Sequence, residues 1–285
     1  AQGGMVDTPW GDWYLFMFHD RGALGRLPMI MPVHFDADGY PVIGESGKVP
    51  ESVSIESTRP DYEYSPLNGD DDFIYQPDKK GRVYLKPFWQ FNHNPIDALW
   101  SVTERPGALR IYTGELCDSP VLAHNVLTQR CSGPESAAWV TIDGSEMKDG
   151  DYAGISAWIG CYGAIALTKE KGKHYLVMYG KPAQDETLHA DKDFLEPPVE
   201  YERIAIDSSC VTLKVHVDFE NKKDEADFAY EEHGNWKALG ICQKLYFKLD
   251  HFTGCRFGLF MYAAKQSGGH ADFMKFRYQI GRDHD

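Results

Sequence analysis

The feature that most constrains this chain is the rhythm of its apolar residues. Short runs rich in β-branched and aromatic residues recur with turn residues between them, among them ALRIYTG, SAAWVTIDG, YAGISAWIG, GAIALTKE, HYLVMYG, VTLKVHVDF, KLYFKL, RFGLFMYA and FMKFRYQI. Alternation of this kind puts one face of a strand against a core, whereas an amphipathic helix repeats about every 3.6 residues, and that longer period is almost absent. KEKGK, between GAIALT and HYLVMYG, marks a hairpin. More than a dozen such strands fit two antiparallel sheets packed face to face.

The first 46 residues read differently. Between Met5 and Gly44 the runs MV, WYLFMFH, MIMPVHF and YPVIG are separated by the turn-rich TPWGD, DRGALGRLP and DADG, a pattern for a four-stranded antiparallel sheet. Four strands in about 40 residues cannot cover both of their own faces, and propeller blades of this length stack on neighbouring blades. Residues 47–68 turn polar and irregular, with Pro50, Pro60 and Pro66 interrupting any ladder. The expected organisation is therefore a blade-like sheet from an incomplete domain over 1–46, a linker over 47–68, and a β-sandwich over 69–285.

Composition narrows the function classes. A 285-residue chain with 42% hydrophobic residues can bury a substantial core. Its 29 Lys plus Arg against 43 Asp plus Glu give a formal charge of -14, which opposes attraction to phosphate backbones and anionic lipid; nucleic acid and membrane are not expected partners. No apolar run reaches the roughly 18 residues of a spanning helix, and the compartment stays open. The six cysteines Cys117, Cys131, Cys161, Cys210, Cys242 and Cys255 show no zinc-ligand spacing, and a core of this size favours buried free thiols over disulfides. Aromatics at 13% suit a β-rich core or a surface that stacks on flat ligands.

The run QGGMVDTPWGDWYLFMFHDRGALGRLPMIMPVHFDADGYPVIG resembles the last blade of the five-bladed propeller in glycoside hydrolase family 43, the β-xylosidases and α-L-arabinofuranosidases. WQFNHNPIDALWSVTERPGALRI, VLAHNVLTQRCSGPESAAWVTID, MKDGDYAGISAW and HFTGCRFGLFMY are similar to the concanavalin-like β-sandwich appended to the xylosidase branch. The resemblance implies an all-β chain forming the C-terminal part of an inverting exo-glycosidase that releases xylose or arabinose from xylan-derived oligosaccharides. Inversion needs a carboxylic acid and a carboxylate base roughly 6.5 to 9.5 Å apart, with water between base and sugar. In the family these come from earlier blades, so they are expected on an N-terminal propeller segment, in the same protein or on a separate chain. No catalytic residue is assigned within the 285 residues, and the reaction requires no cofactor. Asp7 and Asp12 read as turn residues that hydrogen-bond their own backbone, and Glu104 as a strand-end residue before a Pro-Gly turn.

Three residues match family positions that touch substrate. Arg26 in GALGRLP corresponds to the arginine that reaches the pocket from the last blade, where a rigid guanidinium fork can hold a pair of sugar hydroxyls; the alternative is a surface ion pair with Asp20. Phe252 in HFTGC corresponds to the aromatic with which the sandwich walls the pocket, and equally reads as ordinary core, although Thr253 and Gly254 favour a turn that puts it at a sheet end. Gln2 stands where many members carry a histidine near the propeller axis. An amide keeps the hydrogen bonds but does not titrate near neutrality, and strand-end hydrogen bonding is its other reading.

Two further expectations concern the sandwich. A carbohydrate-binding module or a structural brace is the alternative to glycosidase function, with Trp89, Trp100, Trp139, Trp158 and Trp236 as stacking candidates. By period WQF and SAAWV point Trp89 and Trp139 inward, while Trp236, in the polar EEHGNWK, is the residue expected at the surface. A structural calcium is suggested by the acidic triplet at 70–72, with Asp71 and Asp72 as ligands, together with Asp272 of the final strand, since a hard cation gathers several oxygens; a solvated acidic turn is the competing reading.

Overall fold

A computed structural model describes residues 2–181, 197–246 and 252–281. The described strands, in chain order, begin with β1 (Gly3–Asp7), β2 (Trp13–Asp20), β3 (Arg26–Phe35), β4 (Pro41–Ile43), β5 (Gln90–Phe91), β6 (Trp100–Ser101), β7 (Leu109–Tyr112), β8 (Leu127–Arg130), β9 (Glu135–Asp143) and β10 (Asp151–Trp158). They continue with β11 (Gly163–Glu170), β12 (Lys173–Gly180), β13 (Val199–Ile206), β14 (Cys210–Asp218), β15 (Glu225–Glu232), β16 (Asn235–Ala238), β17 (Gln243–Lys244), β18 (Arg256–Ala263) and β19 (His270–Ile280). The end of the KLYFKL run lies outside the described residues. The chain forms two compact units, one of residues 1–21 and 25–64, the other of 22–24 and 65–285.

The first unit is an antiparallel sheet in the order β1-β2-β3-β4. Directly opposed residues share a face, so Met5, Leu15 and Met31 form one row, while Val6, Tyr14 and Pro32 form the next on the other face. Both faces are therefore apolar, unlike a sheet with one wet side. Met5, Val6, Phe16, Phe35, Val42 and Ile43 remain exposed large hydrophobics.

The second unit is a two-sheet sandwich. One sheet runs β13-β12-β11-β10-β18-β8-β5 and the other β16-β15-β14-β9-β19-β7-β6, with β17 pairing β15. Period-two alternation builds the space between them: Ala138, Val140 and Ile142 of β9 and Leu213, Val215 and Val217 of β14 meet Ile155, Ile165, Leu167, Leu259 and Met261 of the facing sheet. Each of the Val, Leu, Ile and Met side chains contributes about 1.5–3 kcal/mol on burial. The KEKGK hairpin closes with Lys171 and Gly172 both at positive φ between the paired Glu170 and Lys173, the backbone a two-residue turn of matching twist requires.

A second apolar cluster lies on the far side of the first sheet, where Tyr162, Ala164, Ala166, Val177, Tyr179, Phe260 and Tyr262 are buried together with Ala123 and Val126. This explains why β10, β11 and β18 read as nearly continuous apolar runs. A register shift in β19 between Met274 and Arg277, with Lys275 at φ 52°, turns Phe276 fully into the core. Such a bulge re-aims the side chains around it.

Candidate functional site

Arg26 opens β3 opposite Asp20, the last residue of β2. Its Nε donates to Asp20 Oδ1 at 2.9 Å, and its guanidinium lies 4.3 Å from the centre of the Phe18 ring. The ion pair anticipated from sequence is present, and together with the ring contact it fixes the orientation of the guanidinium. Gln2, in the same unit, precedes β1 and is exposed.

Phe252 belongs to the second unit and stands in a turn ahead of β18, 44% exposed. Thr253 O accepts from Arg130 Nη1 at 3.0 Å, Gly254 takes φ +86°, and Cys255 N donates to Ala23 O at 2.8 Å. A large apolar ring thus stands directly before a backbone tied down at Thr253 and Cys255. Ala23 is itself held by the second unit: Gly22, at φ +58°, leaves room beside Asp224, where a Cβ would stand 2.3 Å from Oδ2.

The acidic residues considered for calcium are not gathered for a cation. Asp71 accepts from Phe73 N at 2.9 Å, Trp89 Nε1 at 2.8 Å and the Tyr75 hydroxyl, and pairs with Lys86 at 3.3 Å. Asp72 accepts from Arg277 Nη2 at 2.7 Å, while Asp70 accepts from Tyr278 N at 2.8 Å. Asp272 takes Arg110 Nε at 2.7 Å and Arg105 Nη1 at 2.7 Å. Burial alone would raise the Asp272 pKa, but the two guanidiniums outweigh it and hold the carboxyl below its usual range. The start and end of the sandwich are joined as a bridging ion would join them, by arginine instead of metal. Among the described residues, the one trio of metal-ligating side chains within reach of a common point is Glu135, Asp218 and Glu220, and there Lys223 Nζ already donates to Asp218 Oδ2 at 2.6 Å. The residues proposed for calcium therefore do not fit it.

The tryptophans divide. Trp89 and Trp158 are buried, with their indole N–H groups bonded to Asp71 and to Asn92 Oδ1 (3.2 Å). Trp139, expected to point inward, faces out instead, because Ala138, Val140 and Ile142 take the core side of β9. Trp236, on β16, is 40% exposed, its ring centre 6.2 Å from that of Trp139. Lys214 Nζ lies 5.1 Å from the Trp236 ring centre and 5.5 Å from that of Trp139. Sequence alone did not signal Lys214. Its alternation with core residues along β14 marks only an outward position.

The described strands of the second unit pair antiparallel in two packed sheets, which makes it a β-sandwich domain. Residues 82–279 match the model of the β-xylosidase C-terminal concanavalin A-like domain. The chain belongs to this family, and it corresponds to the C-terminal portion of GH43 proteins. A β-xylosidase from Formosa agariphila is 27% identical over 309 residues, covering 98% of this chain and 47% of its own length. A bifunctional GH43-CE protein from Bacteroides eggerthii is 39% identical, with a TM-score of 0.83 over 99% of this chain and 34% of its own. A GH43 glycoside hydrolase whose active site was engineered to give an enzyme described as displaying both endo-xylanase and exo-arabinofuranosidase activity shares the fold at a TM-score of 0.85 and 24% identity, over 99% of this chain and 54% of its own. The chain thus spans about half the length, or less, of these relatives.

Proposed function

We propose that this chain is the C-terminal part of an inverting exo-glycosidase that releases xylose or arabinose from xylan-derived chains. In this reading the four-stranded sheet of the first unit is the last blade of a five-bladed propeller, and the catalytic acid and base lie on other blades. The observation that carries it is the sheet that is apolar on both faces yet leaves Met5, Val6, Phe16, Phe35, Val42 and Ile43 uncovered. Exposed apolar surface on both sides of one thin sheet calls for partners on both sides, which is the situation of a blade and not of a free domain.

Two side chains then act on substrate. Arg26, oriented by Asp20, donates to sugar hydroxyls from the blade. Phe252 excludes water and packs on the C–H face of the sugar. Neither moves a proton in the reaction; each binds and orients. Gln2 supplies an uncharged polar contact, and the chain without the other blades is inactive.

The test uses the enzyme complete with its propeller. Arg26→Ala and Phe252→Ala should each lower kcat/KM for an aryl β-xyloside or aryl arabinofuranoside by at least about tenfold, while the thermal transition moves little. Unchanged kcat/KM in both variants would remove this chain from the pocket.

A further inference from the structure

The outer face of the β16-β15-β14-β9-β19-β7-β6 sheet carries a group of side chains that the proposed pocket does not use. Opposed residues on adjacent strands form a row: Ala238 on β16, Ala229 on β15, Lys214 on β14, Trp139 on β9 and Arg277 on β19. In the neighbouring row Trp236 opposes Glu231, and Thr212 opposes Thr141. The two alanines leave the sheet low where they stand. There the Trp236 and Trp139 rings meet edge to face with centres 6.2 Å apart, and the Lys214 ammonium lies near both.

A site is defined by what it can satisfy. Indole faces pack on the C–H faces of sugar rings, and an exposed indole presents that surface at little cost in conformational freedom. The hydroxyls of Thr141 and Thr212, 3.0 Å apart, together with Lys214 and Glu231, provide both donors and acceptors around the rings. Among the charged side chains of this face Asp72 pairs with Arg277, and Lys214 and Glu231 are of opposite sign. A locally neutral face on a chain of net charge -14 does not select an ion. It suits a neutral, hydroxyl-rich ligand. The ring planes are inclined by 68°, so they cannot both lie flat on one planar ribbon, whereas a chain that twists from one sugar to the next can meet each in turn.

We infer that this face is a carbohydrate-binding surface for a neutral, twisted β-linked glycan chain of the xylan class, held on Trp236 and Trp139. The choice of xylan rests on the proposed glycosidase reading; the choice of a glycan rests on the face itself.

The experiment is affinity electrophoresis of the 285-residue chain in native gels containing soluble arabinoxylan or mixed-linkage β-glucan, with Trp236→Ala and Trp236→Phe alongside. Arabinoxylan should retard the wild type. Trp236→Ala should weaken the affinity by at least about tenfold, and Trp236→Phe, which keeps a ring, should restore most of it and so separate loss of binding from loss of fold. Retardation by β-glucan alone, abolished in Trp236→Ala, would support the surface and count against the xylan reading. A wild type retarded by neither glycan, or a Trp236→Ala chain retarded as strongly as the wild type, would overturn the inference.

Discussion

Replacing Asp151 with Asn should stabilise the sandwich increasingly as pH rises. Asp151 opens β10 with its side chain wholly buried. Its Oδ2 accepts from Lys148 N at 2.8 Å, but Oδ1 has no hydrogen-bond partner. Burial pushes its pKa up to about 6, against the opposing pull of the Lys148 N–H and the charges of Lys148 and Lys169. A carboxyl whose folded pKa exceeds its unfolded value binds protons more readily in the folded state, so stability falls as pH climbs from the ordinary carboxylate pKa to about 6 and then levels off. A shift of about two units amounts to roughly 3 kcal/mol in full, of which roughly 2 kcal/mol develops between pH 4.5 and 7.5. Asn keeps an acceptor for Lys148 N and does not ionise. The stability difference between Asp151→Asn and wild type should therefore be roughly 2 kcal/mol more favourable to the variant at pH 7.5 than at pH 4.5, or about 4–8 °C in relative Tm. Thermal unfolding followed by circular dichroism at the two pH values measures it. A difference independent of pH, or one larger in acid, would refute the reasoning.

Asp272 should show the opposite sign. Its depressed pKa means that its contribution is present above the ordinary carboxylate range and lost as pH falls through it, and Asp272→Asn, which leaves Arg110 and Arg105 without their shared anion, should cost roughly 3 kcal/mol in urea unfolding at pH 7. Phe273→Ala, emptying a fully buried site in β19, should cost about 3–5 kcal/mol in the same assay. Gly22→Ala forces a Cβ towards Asp224 at a positive φ and should destabilise the second unit by more than about 1 kcal/mol; an unchanged midpoint would mean that Gly22–Leu24 is not held there.

The sandwich was legible because its signal is local. Val211, Leu213, Val215 and Val217 alternate with Thr212, Lys214 and His216 along one strand, and Lys171-Gly172 dictates its own turn. The orientation of Trp139 was not legible, since SAAWV has small residues on both faces and only the facing sheet decides which side is core. The role of the acidic residues was hidden for a related reason. Asp71, Asp72 and Asp272 look like oxygen ligands in sequence, but Arg110 arrives from a distant position by strand pairing, Arg277 by a bulge in β19, and Arg105 from the loop before β7. Likewise the ion pair of Arg26 was visible as a short-range pattern across a hairpin, whereas its contact with the Phe18 ring depends on which face of β2 the ring occupies.

The most direct test of the proposed function is complementation. Release of xylose or arabinose from aryl glycosides is measured for this chain alone, for a GH43 propeller segment lacking its last blade, and for the two co-expressed. The account predicts activity only in the co-purifying pair, lowered in the pair carrying Arg26→Ala. Hydrolysis by this chain alone, or a pair that neither associates nor turns over substrate, would contradict it.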